Sequence, residues 1–330
     1  MRCGNQKNHP ADSGHISKLI LTFCYALPVR GSRGIYVEIL IADELEHIWR
    51  LTQDPALHQR WDIRFSQIEY LPRPDPSEPQ RFLYQTRIGF GLSIKGTGES
   101  IAERSASNGD TTSSLKFASA DPKSLIREGS GYWRYIPTPA GLRFLTWYDY
   151  SVRFGAIGLL VDRVIFRPIM GWATAWSFDR MRLWAEKGQT PESSLALSLI
   201  HATARLAVAA IWIWHGLIPK IIYPSADERT MLAQAGIPLK FLPWIGGAEI
   251  AIGLCIILAW RWRGAFVASI LLMIVAGVSV AVNSPIYLKA AFNPVTLNLA
   301  LIALSIVGWI ASKSIPSSQM CLRKAPRESA

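Results

Sequence analysis

The stretch Ile211–Pro238, IWIWHGLIPKIIYPSADERTMLAQAGIP, begins as a membrane-crossing run and then admits a histidine, a proline and a lysine within six residues. His215 and Lys220 stand where an apolar helix would insert more easily without them, so the reading turns on what they face. On its C-terminal side, SADERTMLAQAGI has the pattern of a short helix that Ser225 or Asp227 can cap and Gly236 can end.

Working outward, the chain divides in composition near residue 190. Four apolar runs follow that point, at about residues 197–217, 243–260, 264–282 and 295–312. Each is close to the roughly 20 residues that cross a bilayer core. Helices of soluble proteins are seldom apolar on almost every face for that length. The C-terminal part therefore reads as an all-α four-helix transmembrane bundle. Arg180, Arg182 and Lys187 precede the first run, Arg205 lies in its N-terminal half, and Arg261 and Arg263 occupy the tight turn between the second and third. Lys313, Arg323, Lys324 and Arg327 follow the fourth. This bias favours both termini in the cytoplasm, in a multi-pass protein of the cell (inner) membrane.

With that orientation, His215 ends the first span and Lys220 follows it. Glu249 lies about two turns into the second, and Asn293, Thr296 and Asn298 open the fourth. Polar residues are expected to form one layer in the bundle. An intramembrane acid is costly and usually has a partner, for which His215 and Lys220 are the candidates. Gly246 and Gly253 share the face of Glu249 and permit close helix approach. The bland alternative is an ion pair that only fixes helix register.

WHGLIPKIIYPSADERTMLAQAGI, then GGAEIAIGL, then FNPVTLNLAL, resemble the DoxX-like four-helix membrane family over about residues 207–311. The matching positions are His215, Pro219, Lys220, Glu228, Gly236, Glu249, Gly253, Asn293 and Pro294. The resemblance implies kinship with proteins that include subunits of quinone-dependent sulfur-compound oxidation. A quinone is thus a possible cofactor, with Glu249 and His215 or Lys220 acting on it. A structural subunit of a membrane complex, or a homo-oligomer, is the other expectation.

Before residue 188 the sequence alternates charge, turns and apolar residues as a soluble domain does. Residues 35–41 read as a strand. Asp43, with Glu46 three residues later, then has the spacing of a capping box. Asp54 and Pro55 open a second helix. Strands are expected at residues 63–71, 81–88, 92–104, 112–119, 131–137 and 142–152, separated by Pro-, Gly- and Asn-rich turns. A helix over about residues 155–186 closes the domain, with a break at Arg167-Pro168. Its aromatics and cations, Trp172, Trp176, Phe178, Trp184, Arg180 and Arg182, suit either a membrane interface or a closing helix with a charged outer face.

That element order, with DELEHIWRLTQDPALHQRWD at its start, resembles the START-like (SRPBCC, polyketide cyclase-like) superfamily over residues 34–188. The fold class is then an α+β helix-grip domain followed by the transmembrane bundle. The resemblance implies a hydrophobic cavity between sheet and helix that binds an apolar or lipid-like molecule. Phe90, Tyr132, Trp133, Tyr135, Phe144 and Trp147 are the candidate lining residues, against the alternative that they only fill a core. No nucleophile–base pair is legible, and His58, Glu99, Glu103 and Asp149 stand as isolated polar residues.

The formal charge of +11 is not accompanied by any nucleic-acid-binding motif, which leaves topology as its cause. Cys3, Cys24, Cys255 and Cys321 form no CxxC, so neither a metal site nor a disulfide framework is expected. No GxGxxG follows the first strand. Residues 1–33 read as a disordered extension, and residues 315–330 as a disordered basic tail.

Overall fold

The computed structural model describes residues 34–326 except Pro76 and Phe292; the extension expected at residues 1–33 lies outside them. The described chain forms two units. One holds residues up to Gln59, Ile63–Ala175 and the segment from Gln319 on. The other holds Arg60–Asp62 and Trp176–Ser318.

The first unit is a seven-stranded antiparallel sheet of order β1-β7-β6-β5-β4-β3-β2. Its strands are β1 (Ile35–Ile41), β2 (Gln67–Tyr70), β3 (Arg81–Gly89), β4 (Leu92–Ser105), β5 (Thr111–Ala118), β6 (Ile126–Thr138) and β7 (Gly141–Val152). Every connection from β2 to β7 is a hairpin, and β1 closes on β7 with Val37 opposite Thr146 and Ile39 opposite Phe144. Strand alternation sends Val37, Ile39 and Ile41 into the core. Between β1 and β2 lie α1 (Leu45–Gln53) and α2 (Pro55–Trp61). Asp54 caps α2, accepting from the Ala56 and Leu57 amides. Asp43 does not cap α1; its carboxylate instead binds His47 at 2.6 Å and the Glu44 amide at 2.7 Å.

After β7 come α3 (Gly155–Val161), a wide turn at Asp162–Phe166, and α4 (Arg167–Lys187). The expected break at Arg167-Pro168 thus takes the form of a π-helical turn one residue earlier. Pro168 has no N–H to give to Val164, four residues back, and the helix widens there instead of stopping. On α4, Trp176, Phe178, Met181 and Leu183 are buried, so its middle is a packed element rather than an interfacial one.

The C-terminal segment differs from the expected disordered tail. Leu322 exchanges both backbone hydrogen bonds with Glu38 at 2.9 Å, and the Cys321 thiol reaches the Ala175 carbonyl. An edge strand with unpaired backbone groups draws in whatever extended chain is at hand.

The second unit contains four helices long and apolar enough to cross a membrane: Pro191–Ile222, Leu239–Leu258, Gly264–Asn283 and Pro294–Ala311. They comprise α5 (Pro191–Leu217) with a wide turn at Ile218–Ile222, α7 (Leu242–Leu258) preceded by a tight turn, α8 (Gly264–Asn283) and α9 (Pro294–Ala311). The short α6 (Ala226–Gln234) precedes α7, capped by Ser225 and ended at Gly236, whose φ is +72°. Val208, Trp212, Ile256, Ala265 and Leu301 form the bundle core.

Candidate functional site

The first candidate site is a cavity of about 220 Å³ within the sheet unit. Its wall combines Ile68, Phe82, Ile88, Ile94, Leu115 and Phe117 from the sheet with Phe166 and Met170 from the closing helix. Hydroxyl groups also line it, yet most are already engaged. Thr86 donates to the Arg64 carbonyl, Ser124 to that of Ile126, Thr146 to that of Tyr132, and Tyr70 to that of Gln53. Tyr148 is bonded to Thr174. Burial pushes the Tyr84 phenol up to about 12, so it stays protonated at any physiological pH. A wall whose polar groups are spent internally offers a ligand mainly carbon. Arg64 is the cation on the wall, its guanidinium 5.5 Å from the Phe65 and Tyr148 rings.

Of the six aromatic candidates, Trp133 lines the cavity and stacks edge-on with His58 at 5.0 Å. Tyr132 contributes to the wall, but alternation turns its ring to the other face, where it stacks on Trp147. Tyr135 and Phe144 are fully buried in the core, with the Tyr135 hydroxyl bonded to Thr52 and Gln53. Phe90 sits at the tip of the β3–β4 hairpin, entirely exposed. The structure therefore does not bring these six together. Sequence reading named aromatics mainly of β6 and β7, whereas Phe82, Tyr84, Ile88, Ile94, Leu115 and Phe117 of β3–β5 supply much of the apolar wall. Their alternation was legible, but the side of the sheet facing the closing helix was not.

The second candidate site is a polar cluster in the bundle. Lys220 Nζ lies 3.0 Å from a Glu228 oxygen and 3.0 Å from a Glu249 oxygen. The contact with Glu228 is a hydrogen bond; Glu249 faces the ammonium as an ion pair at an angle too poor for one. Local sequence accounts for each arm. Pro219 cannot supply the N–H that would close on the His215 carbonyl, so the helix widens over Ile218–Ile222. Lys220 is turned inward there, and its ammonium approaches that carbonyl at 3.4 Å. Glu249 is delivered by a seam of small residues. A Cβ on Gly246 would stand 2.6 Å from the Gly216 carbonyl oxygen, and one on Gly253 would stand 2.8 Å from that of Ala209. These residues recur at seven-residue spacing on both α5 and α7, which lets the backbones touch and sets Glu249 between them.

Lys220 and Glu249 meet as expected, and His215 joins through its carbonyl. Asn293 and Asn298 do not join. Asn293 caps α9, accepting from the Thr296 amide at 2.8 Å, while Asn298 packs toward Gly277 of α8. Glu228 enters instead, from α6.

A third feature was read only as a flanking charge. Arg205 is fully buried and donates to the carbonyls of Ile256, Ala259 and Trp262 at 2.6, 2.9 and 3.2 Å. Its guanidinium caps the C-terminal end of α7 and lies 4.6 Å from the Phe266 ring. His201, one turn earlier, accepts from its Nε at 3.2 Å. The four-residue spacing was the available signal; the carbonyls it serves are more than 50 residues away.

The family model for the DoxX-like family matches residues 209–306, a span that contains the whole Lys220 cluster. The membrane protein YndG of Bacillus subtilis (strain 168) is 46% identical over 223 residues, covering 67% of this chain and 83% of YndG. The chain belongs to the DoxX-like family. Among solved structures, TTHA0849 from Thermus thermophilus is similar at 18% identity, covering 41% of this chain and 86% of that one, with a TM-score of 0.32. The Zhui aromatase/cyclase from a Streptomyces species is similar at 13% identity, covering 42% and 87%, with a TM-score of 0.32. This DoxX-like protein joins an α+β unit, built on a seven-stranded antiparallel sheet, to four membrane helices.

Proposed function

We propose that this DoxX-like membrane protein holds a small apolar or lipid-like molecule in its sheet unit, which lies on the cytoplasmic side of the cell (inner) membrane. The carrying observation is the 220 Å³ cavity, most of whose hydroxyls are already hydrogen-bonded to the protein itself. That volume is below the roughly 300–1,000 Å³ of drug-sized sites, which points to a single short apolar chain or one ring system. The cytoplasmic assignment is supported by Arg261, Arg263 and Lys313 at one end of the spans. Native mass spectrometry of the purified full-length protein, followed by solvent extraction, tests the reading. One apolar species at one per chain is expected, and Leu115→Trp or Ile94→Trp should expel it. A wild-type protein that releases nothing overturns the proposal.

A second reading rests on the bundle. Two carboxylates share one ammonium at Lys220, and the His215 ring makes no hydrogen bond among the described residues. Such a layer can take up a proton and offer an imidazole to a quinone carbonyl. On this reading Glu249→Gln abolishes a quinone-linked activity in a protein that still folds. If Glu249→Gln alters only stability, the cluster is a structural ion pair.

A further inference from the structure

The helical segment after β7 is attached to the sheet unit by a narrow stripe. Between residues 154 and 169 only Gly158 and Asp162 are buried, and Phe166 and Arg167 are half-buried. These positions recur every four residues, along one line of the helix. The attachment is specific: Asp162 accepts from the Tyr150 hydroxyl and from Arg167, both at 2.8 Å, and Arg167 also binds Asp149 at 2.8 Å. Almost everything else on the segment faces outward and is apolar. Ile157 is 74% exposed, Leu160 63% and Val164 63%, with Phe154, Leu159, Ile165 and Ile169 near half.

A second apolar projection lies on the β3–β4 hairpin. Its turn is Gly89-Phe90-Gly91, with all three residues at positive φ. A turn of that kind ordinarily carries polar residues. Here Phe90 is wholly exposed, and Ile88 and Leu92 beside it are half-exposed. The two projections flank the same cavity, since Ile88 and Ile94 line it from the hairpin and Phe166 and Met170 from the helix.

Exposed apolar area of this extent marks a binding surface. On the two segments themselves the exposed charges share one sign: Arg87, Lys95 and Arg163 are exposed, while Asp162, the one carboxylate in residues 85–97 and 153–169, is buried and paired. The carboxylates beside them, Asp149 and Asp121, are paired with Arg167 and Lys123. The chain is also tethered to a bilayer by its own membrane helices. An apolar projection carrying exposed Arg87, Lys95 and Arg163, on a chain that never leaves a membrane, fits an anionic lipid surface. We propose that the Phe90 tip and the helical segment of residues 154–169 insert together into the headgroup region of an anionic bilayer. The insertion does not depend on whether the cavity holds a ligand.

The test uses the full-length protein, with its native cysteines replaced by serine, in nanodiscs of phosphatidylcholine and phosphatidylglycerol. Spin labels are placed at Phe90→Cys and Leu160→Cys, with Ser107→Cys in the exposed β4–β5 turn as reference. Inserted labels collide more with oxygen than with a water-soluble nickel chelate; the reference label does the reverse. Ile157→Ser with Val164→Ser should weaken insertion by roughly a hundredfold, from the apolar area returned to water. Arg87→Glu with Arg163→Glu should weaken it and remove the preference for phosphatidylglycerol. The labelled positions and those changed to serine or glutamate on the two projections are exposed, so a melting transition unchanged from that of the cysteine-free parent verifies the fold in each case. Labels at 90 and 160 that meet the nickel chelate as freely as the label at 107 overturn the proposal. So do labels shielded from both reagents with dipolar coupling between two chains, which would assign the surface to a second copy.

Discussion

Lys220→Met is the most direct test of the bundle's polar cluster. Lys220 Nζ stands 3.0 Å from each of two carboxylates, and its side chain is 8% exposed. At an effective dielectric of about 20, a unit pair at that separation attracts by roughly 5 kcal/mol before desolvation. Desolvation of the three groups consumes most of that gain, so the intact cluster is worth little relative to an apolar replacement. Deleting the ammonium alone is different, because it leaves Glu228 and Glu249 facing each other without a counter-charge. Lys220→Met is therefore expected to cost about 3–5 kcal/mol. In a Glu228→Gln/Glu249→Gln background no charge is stranded, and the same substitution should cost about 1 kcal/mol or less. The difference is a coupling of about 2–4 kcal/mol, readable as a double-mutant cycle. Unfolding free energies in mixed micelles, at fixed pH and salt, provide the measurement. Equal costs in the two backgrounds would refute the account, since they would mean that Lys220 acts through packing of its alkyl stem.

The helix seam makes a matched pair: Gly246→Ala should destabilise by about 1–3 kcal/mol because its Cβ meets backbone that cannot yield. Gly247→Ala, with nothing within 4 Å, should be neutral or stabilising by up to about 1 kcal/mol in the same unfolding assay. Arg205→Lys should lose about 2–3 kcal/mol despite keeping the charge, because one ammonium cannot reproduce three forked bonds to carbonyls; full retention of stability would refute the capping role. Acid stability tests Glu38: burial alone would raise its carboxyl, but the hydrogen bonds from Arg143 and Tyr36 win and hold it below the ordinary range. A depressed folded value makes its contribution complete above about pH 4.3 and lost as pH falls through the folded value. Glu38→Gln should flatten that limb of the sheet unit's unfolding curve while leaving the neutral-pH slope unchanged.

Four membrane helices, the strand-to-helix opening and the closing helix were all legible in the chain, because each depends on local periodicity. The same holds for the caps at Ser225 and Asp54 and for the stop at Gly236. The cost of an intramembrane acid pointed to a partner for Glu249 at His215 or Lys220, and the structure pairs Glu249 with Lys220. Local rules failed where a residue had two available uses. Asp43 had capping spacing but binds His47, and Asn293 looked like a member of the polar layer but caps its own helix.

The sequence by itself determined which segments are helix, strand and membrane span, because hydrophobic period and length act within a few residues. Only the tertiary structure decided which partners the polar side chains found. Arg205 serves carbonyls on another helix, Glu228 displaces the asparagines beside Lys220, and Leu322 extends the edge of β1. These outcomes depend on how closely separate helices and strands approach, and that distance is set by small residues such as Gly216 and Gly246 on both sides of a contact. It also decided which apolar residues remain outside. Phe90 and Ile157 have the same chemistry as core residues, and only the path of the backbone leaves them exposed.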